Sequence, residues 1–340
     1  MSQLRFDHTT SDWVVFAPLR KLRPHHDAVS ESTDAEAAQD AIASCPFCPG
    51  NERLTPPEID AIRSDSKSES SWQVRVVSNK FPVLTIEESL DRNQQGRLFQ
   101  NMGGCGAHEV VIESPDHGCF LGQLPVEHIE VILKMIRTRY KDLKRDRRFQ
   151  SIIIFKNHGV GAGTSLRHPH WQIIATPVVP RLSRLKYVEA TQYFDRMGTC
   201  LYCDLLQEEL AAKKRLVADD DEFVAIIPYA AHLPFETWIL PRRQQATLDV
   251  LEDDQLRPLA EILKTVLLKL YVGLDNPDFN LTIDMAPRGD EDKEYFMWHI
   301  RIVPRLTTRA GFEMGSGMSI NTVFPEEAAA FLREGDSKQL

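Results

Sequence analysis

His168-Pro169-His170-Trp171-Gln172, running on into Ile173-Ile174-Ala175-Thr176, is the segment around which the rest of the chain arranges itself. The β-branched tail reads as a strand. In an extended segment residues two apart point to one face. His168, His170 and Gln172 therefore line one side of a strand mouth, with Pro169 fixing φ between the two rings. Imidazole is both a metal ligand and a nucleophile toward phosphorus. Two such rings and an amide on one face point to a reactive site, whereas an isolated His-Pro-His would as readily be a surface pair.

The chain of 340 residues is long enough for one large or two modest domains, and its 42% hydrophobic content is ample for a core. The 40 basic and 49 acidic side chains leave a net charge of −9, which argues against a nucleic-acid partner. Basic groups that meet a phosphate must then be placed locally. No run approaches the length of a membrane span, and Met1 to Asp7 has no apolar signal region. A cytoplasmic protein without a membrane partner is expected. Four of the six cysteines form C-x-x-C pairs, Cys45/Cys48 and Cys200/Cys203, which suits metal or redox chemistry rather than a disulfide framework. Cys105 and Cys119 read as ordinary small buried residues.

Trp13 to Phe16 reads as a short strand, and the polar stretches His25 to Ser44 and Ser64 to Ser71 as loops. Further strands are expected at Val74 to Val77, Glu109 to Glu113, Ser151 to Phe155 and Gln172 to Thr176. Between the second and third of these lies a helix whose apolar residues Ile129, Ile132, Leu133, Ile136, Tyr140 and Leu143 step by three and four. The second half repeats the plan. Cys200-Leu-Tyr-Cys203 echoes Cys45-Pro-Phe-Cys48. Strands at Glu222 to Ile227 and Glu236 to Leu240, a helix carrying Leu256 to Leu270, and strands at Phe279 to Asp284 and His299 to Val303 complete the copy. The expected fold is α+β, with two pseudo-repeated half-domains of mostly antiparallel sheet and flanking helices, residues 1–190 and 191–340.

A C-x-x-C turn offers two thiolates to one ion, and zinc favours four Cys and His ligands. Candidate partners for Cys45 and Cys48 are His108, His117, His158, His168 and His170. A set of Cys45, Cys48, His117 and His168 draws on the turn and two sheet elements and leaves His170 free for chemistry. Aligning the halves sets Gln244 opposite His117, Tyr295 opposite His168, and Met297-Trp298-His299 opposite His170-Trp171-Gln172. Cys200 and Cys203 thus read as packed thiols left from a duplicated ancestor, in preference to a second metal site.

A neutral His170 can attack phosphorus and form a covalent N–P intermediate, splitting one transfer into two displacements. A backbone carbonyl accepting from its other nitrogen would hold the required tautomer. Gln172 offers an amide N–H to a phosphoryl oxygen. Because an amide is neither acid nor base near pH 7, it favours transfer over hydrolysis. Upstream, the alternating glycines Gly159, Gly161 and Gly163 allow close backbone approach, and their N–H groups are candidates to cradle a phosphate. Ala310 to Gly317 is a second Gly-rich turn, where Glu313 suits sugar hydroxyls. Arg20 and Arg23 are candidate phosphate clamps.

Together, Trp13-Val14-Val15-Phe16-Ala17-Pro18 with Arg20 and Arg23, Cys45-Pro46-Phe47-Cys48-Pro49-Gly50, Asn79-Lys80-Phe81-Pro82, Ser114-Pro115-Asp116-His117, Gly163 to Gln172 and Gly311-Phe312-Glu313 resemble the galactose-1-phosphate uridylyltransferase family, a branch of the histidine-triad superfamily. The resemblance implies a ping-pong exchange. His170 attacks the α-phosphorus of a UDP-hexose, hexose 1-phosphate leaves, and the uridylyl group passes to a second hexose 1-phosphate, so that UMP moves between UDP-glucose and galactose 1-phosphate. It implies phosphoryl contacts from Gln172 and nucleotide contacts from Asn79, Gly163, Thr164 and Ser165. It also implies a further substrate contact from Asn157, hexose contacts from Phe312 and Glu313, a structural zinc on Cys45, Cys48, His117 and His168, and a homodimer. The chain departs from the pattern at Lys80, at Trp171, and at Gln244 and Met297. It is also similar to the ADP-glucose phosphorylase branch, where the nucleotide is adenylyl and the acceptor inorganic phosphate. That branch carries Ser in place of the motif Pro, so Pro169 favours uridylyl transfer. A non-catalytic, zinc-stabilised nucleotide-binding module is the remaining alternative, and it has no need of a free nucleophile.

Overall fold

A computed structural model of the chain describes residues 2–22, 42–64 and 71–335. The chain opens on a hairpin, β1 (Gln3–Asp7) and β2 (Asp12–Phe16). Its turn is held by the Thr9 and Thr10 hydroxyls, which donate to the Asp7 carboxylate. Next come β3 (Glu58–Arg63), β4 (Trp72–Ser78), an exposed hairpin of β5 (Arg92–Gln95) and β6 (Phe99–Met102), and β7 (Ala107–Ile112). Helix α1 (Val126–Leu143) leads to β8 (Ser151–His158) and β9 (His170–Thr176). Helices α2 (Arg181–Met197) and α3 (Leu201–Ala212) connect to β10 (Leu216–Asp219), β11 (Phe223–Ile226) and β12 (Thr237–Pro241). Helix α4 (Asp253–Gly273) then precedes β13 (Phe279–Asp284) and β14 (His299–Pro304). The short α5 (Gly311–Ser316), β15 (Ile320–Asn321) and α6 (Pro325–Glu334) close the chain.

Ten strands form one sheet in the order β10-β11-β12-β14-β13-β8-β9-β7-β4-β3, all paired antiparallel. Each half runs its five strands in the same spatial order, with the fifth inserted between the third and fourth. Each also places its long helix after the third strand, so the sequence repeat is a repeat of topology. The halves join main chain to main chain, with β8 and β13 paired from Phe279↔His158 to Ile283↔Ile154. β15 lies parallel to β2 and completes a separate three-stranded sheet.

The strands and helices expected at the first and second repeats are present. The strands β1, β3, β5, β6 and β10 add to them. Of the two expected loops, residues 25–41 and 65–70 lie outside the described residues, and residues 42–44 form a helical turn.

The apolar stripe of α1, from Ile129 to Leu143, is buried against one face of the sheet, beside the buried Leu256, Leu259, Leu263, Val266 and Leu270 of α4. Each such side chain contributes roughly 1.5–3 kcal/mol when fully buried, so packing rather than helix propensity holds these helices. Trp171, Ile173 and Ala175 face this layer. Strand alternation therefore turns His170, Gln172 and Ile174 to the opposite face. There the first half is covered by the Cys45-Phe47-Cys48 turn, and the second by a core that includes Ala190 of α2 and Tyr202 and Leu206 of α3. Among the described residues no helix is long and apolar enough to cross a membrane.

Candidate active site

The Cys-Pro-Phe-Cys turn folds over the mouth of β9. Cys48 N–H closes the turn on the Cys45 carbonyl at 3.3 Å, and Phe47 N–H donates to Cys45 Sγ at 3.4 Å. The Asn51 side-chain amide ties the Ala43 and Cys45 carbonyls. Phe47 sets its ring edge-on to both His168 and His170, with centroids 6.0 and 5.3 Å apart.

Cys45, Cys48, His117 and His168 bring one ligand atom each into a group within 4.8 Å of one another. His117 Nδ1 lies 3.3 Å from Cys48 Sγ, and His168 Nδ1 lies 3.5 and 3.7 Å from Cys48 and Cys45 Sγ. A tetrahedral ion with Zn–S and Zn–N bonds of about 2.3 and 2.0–2.1 Å sets its S and N ligands roughly 3.6 Å apart, so the four residues fit such an ion. His168 is fully buried and donates Nε2–H to the Ser114 carbonyl at 2.8 Å, which turns the Nδ1 lone pair toward the sulfurs. Without a cation, burial and the neighbouring Cys45 thiol push the Cys48 thiol up to about 12. A divalent cation held by both sulfurs would make two adjacent thiolates tolerable here.

His170 opens β9 and is 8% exposed. Its Nδ1 lies 2.8 Å from the His168 carbonyl oxygen. A carbonyl only accepts, so Nδ1 carries the proton and Nε2 keeps its lone pair. Burial, with Lys156 and His168 nearby, lowers its pKa to about 4, so the ring is neutral at pH 7. Asn157 shares the His170 face of the sheet by alternation along β8, and its Oδ1 accepts from Asn280 at 2.7 Å. Gln172 Oε1 lies 2.8 Å from His108 Nε2. Asn79 follows β4 and places its Nδ2 3.1 Å from the same His108 nitrogen. Asn79 and His108 also line a cleft of about 630 Å³ that includes Lys80, Leu84, Arg139 and Phe149.

The glycine loop is arranged differently from an open phosphate cradle. Gly161 N–H is bound by the Asp278 carboxylate at 2.5 Å, and a Cβ on Gly159 would lie 1.6 Å from Asp278 Oδ1. A carboxylate from the second half thus occupies the first part of the loop. Gly163, left-handed at φ +87°, passes the chain on to Thr164 and the exposed Ser165. Thr164 Oγ1 is buried without a hydrogen-bond partner among the described residues.

The remaining sequence candidates are not drawn to β9 by any hydrogen bond or ring contact among the described residues. Arg20 sits on a 3-10 turn after β2, and Arg23 lies outside the described residues. Phe312 is half exposed on α5, where the Glu313 carboxylate accepts the Ala310 N–H at 3.1 Å. In the second half, the Cys200 thiol accepts the Cys203 N–H, and Gln244 donates to the Lys293 and Phe296 carbonyls. His299 there lies 3.3 Å from Asp284, which Lys186 meets at 2.8 Å. His108, considered from sequence only as a possible metal partner, instead meets Gln172. Alternation along β7 groups His108 with Val110 and Ile112, and only the pairing of β7 with β9 sets that group on the Gln172 face.

Two family models, described as the N-terminal and C-terminal domains of galactose-1-phosphate uridyl transferase, match residues 1–180 and 186–335. The chain is 32% identical over 335 residues to an ADP-glucose phosphorylase of Arabidopsis thaliana, covering 98% of this chain and 92% of that protein. It is 30% identical over 343 residues to a galactose-1-phosphate uridylyltransferase of Thermotoga maritima, covering 98% of each. The fold matches the crystal structure of the Arabidopsis ADP-glucose phosphorylase with bound ADP-glucose at a TM-score of 0.84, covering 98% and 99% of the two chains. With its site geometry built on the histidine strand and its two halves matched in turn by the two domain descriptions, the chain belongs to the galactose-1-phosphate uridyl transferase family.

Proposed function

We propose that this protein is a nucleotidylyltransferase that exchanges UMP between UDP-glucose and galactose 1-phosphate through a uridylyl-His170 intermediate. His170 Nε2 forms a bond to the α-phosphorus, and the α-phosphorus–oxygen bond to the leaving hexose 1-phosphate breaks. In the second half-reaction a phosphate oxygen of the incoming hexose 1-phosphate attacks the same phosphorus and the P–N bond breaks. The observation that carries this reading is the His170 Nδ1–H to His168 carbonyl bond at 2.8 Å, which leaves Nε2 as an unprotonated nucleophile. The Gln172 amide donates to the phosphoryl oxygens. The nucleoside sits in the cleft bordered by Asn79, and Asn157, Gly163, Thr164 and Ser165 contact the substrate. Arg20 and Arg23 reach phosphate, and Phe312 and Glu313 reach hexose. Cys45, Cys48, His117 and His168 hold a zinc ion, which fixes the turn to the strand that carries His170. The active form is a homodimer, and six unpaired cysteines suit a cytoplasmic location.

A second reading, phosphorolysis of ADP-glucose through an adenylyl-His170, is favoured by the 32% identity to the Arabidopsis ADP-glucose phosphorylase. The two share the first half-reaction and differ in base and acceptor. Incubation with UDP-glucose or ADP-glucose labelled in the α-phosphate separates them, followed by galactose 1-phosphate or inorganic phosphate as acceptor. Uridylyl label on wild type, absent from His170→Gly and discharged by galactose 1-phosphate, is expected. No label from either nucleotide sugar would overturn the covalent mechanism.

A further inference from the structure

We infer that His108 is a positioning residue: by holding the Gln172 carbonyl oxygen it turns the Gln172 amide hydrogens toward the reacting phosphoryl group. The inference rests on the transfer through His170 proposed above, and it adds to that reaction a residue outside the histidine motif.

β7 and β9 pair antiparallel with Val110 opposite Gln172 and His108 opposite Ile174. Alternation then puts His108, Val110 and Ile112 on the face that carries His170 and Gln172. His108 and Gln172 are diagonal neighbours there, within reach of long side chains. The His108 ring is 8% exposed, and its Nε2 lies 2.8 Å from Gln172 Oε1.

An amide can present either end to an imidazole, so its orientation has to be worked out from groups whose roles are fixed. One such group is the Val83 backbone N–H, which can only donate and which reaches His108 Nδ1 at 3.3 Å. Nδ1 is therefore the acceptor. Burial lowers the His108 pKa and keeps the ring neutral, so the single ring proton is on Nε2. Nε2–H then donates, and the Gln172 atom it meets must be the carbonyl oxygen. The Gln172 NH2 is left facing away from His108. Asn79 does not compete for that proton. Its Oδ1 accepts the Phe81 N–H at 2.9 Å, so the Nδ2 that lies 3.1 Å from His108 is itself a donor. Asn79 limits the swing of the ring rather than bonding it.

Without His108 the Gln172 amide is free to flip, and a flipped amide points its oxygen at anionic phosphoryl oxygens. A preorganised donor of this kind is worth about 10²–10³ in rate when removed outright. Loss of orientation alone should then cost on the order of tenfold or more in kcat, with a smaller change in KM, because the donor matters most as charge develops.

The test measures single-turnover transfer of the labelled nucleotidyl group to His170 in wild type, His108→Ala, Gln172→Ala and the double variant. The substrate is whichever of UDP-glucose and ADP-glucose labels the wild type. His108→Ala should slow transfer at least about tenfold, and it should add nothing on the Gln172→Ala background. His108→Gln, whose amide nitrogen can replace the Nε2–H donor, should recover most of the rate, whereas His108→Leu should not. That pair decides the question if His108→Ala fails to fold. Multiplicative effects of His108→Ala and Gln172→Ala, an unimpaired His108→Ala, or equal rates for the Gln and Leu variants would overturn the role of His108 and leave the transfer reaction standing. A wild type unlabelled by either nucleotide sugar would instead overturn the transfer reaction.

Discussion

Beneath the histidine strand, Lys156 and Glu113 form an ion pair whose removal should be among the most damaging single changes in the first half. The side chains are 1% and 0% exposed, with Nζ 2.9 Å from Oε1. Lys156 pairs in register with Trp171. Glu113 N–H approaches the Pro169 carbonyl at 3.4 Å, and the Glu113 carbonyl accepts from His128 at 2.7 Å. The other carboxylate oxygen, Oε2, is buried without a partner among the described residues. Lys156→Met removes the ammonium, keeps most of the apolar stem and strands the Glu113 charge. Breaking a buried pair from one side costs about 3–5 kcal/mol, because the remaining charge is left desolvated. Replacing both partners, as Lys156→Met with Glu113→Gln, removes that penalty and should restore most of the stability. In a urea titration at pH 7, the single variant should therefore lose several kcal/mol and the double variant far less, whereas two independent lesions would add. Heating should show the same order, with the single variant melting on the order of 4–7 °C lower. A cost below about 1 kcal/mol for Lys156→Met, or a double variant as weak as the single, would refute the stranded charge.

Cys45→Ser should abolish bound metal, whereas His170→Gly should keep about one ion per chain; metal analysis showing unchanged content in Cys45→Ser would reject the four-residue site. Acid stability should depend on Asp7 and Glu236. Burial by itself would raise both carboxyls. Hydrogen bonds and charge from His232, with the Thr9 hydrogen bonds, hold Asp7 down to about 2, and Arg301, His232 and the Trp238 indole hold Glu236 down to about 2. Both folded values lie below the ordinary 3.8 and 4.5, so the stabilisation is present above that range and is lost as pH falls toward about 2. Each contributes roughly 2–3 kcal/mol. Asp7→Asn and Glu236→Gln should lower stability at pH 7 and flatten its decline between pH 5 and pH 2, and acid-denaturation profiles parallel to wild type would contradict the assignment.

Where burial left a pattern, the sequence was readable. Phe279–Asp284 alternates buried and half-buried residues, and its expected limits are the observed ones. The stripes of α1 and α4 were equally clear, because both helices bury one face against the same side of the sheet. β3, β5 and β6 carry no such mark. Arg92–Gln95 is exposed at every position, and Glu58–Arg63 is an edge strand with no fully buried residue, so neither has an apolar face to betray it. The metal candidates could be picked out because C-x-x-C spacing and strand alternation are local. The His108–Gln172 contact is not local, since it depends on the β7–β9 register. Nor could the loop's occupant be read, because Asp278 reaches Gly159 and Gly161 only through the pairing of β8 with β13.

That dependence on register also changes how the two halves compare. Sequence alignment sets His299 opposite Gln172, but the ladders favour a shift of two residues that sets it opposite His170. His299 opens β14 as His170 opens β9, on the face away from α1 and α4. Each ring places Nδ1 near the carbonyl two residues back, 2.8 Å to His168 and 3.2 Å to Met297. In this register Asp284 answers to Asn157, Glu236 to His108 and Arg301 to Gln172. The neutral set of the first half is thus replaced by charges that satisfy one another: Lys186 meets Asp284 at 2.8 Å, and Arg301 meets Glu236 at 2.6 Å. His299 is fully buried and stacks on Trp238, with centroids 4.6 Å apart. Any nucleotide would have to displace that ring and break the Lys186 pair before reaching His299, while His170 meets the edge-on Phe47 ring of the Cys45-Cys48 turn. The second strand therefore keeps the position of the His170 ring but sets its Nε2 3.3 Å from the Asp284 carboxylate, with no free lone pair for phosphorus to meet. Covalent labelling should stop at about one nucleotidyl group per chain, all of it on His170; label on His299, or a stoichiometry near two, would contradict the sealed half.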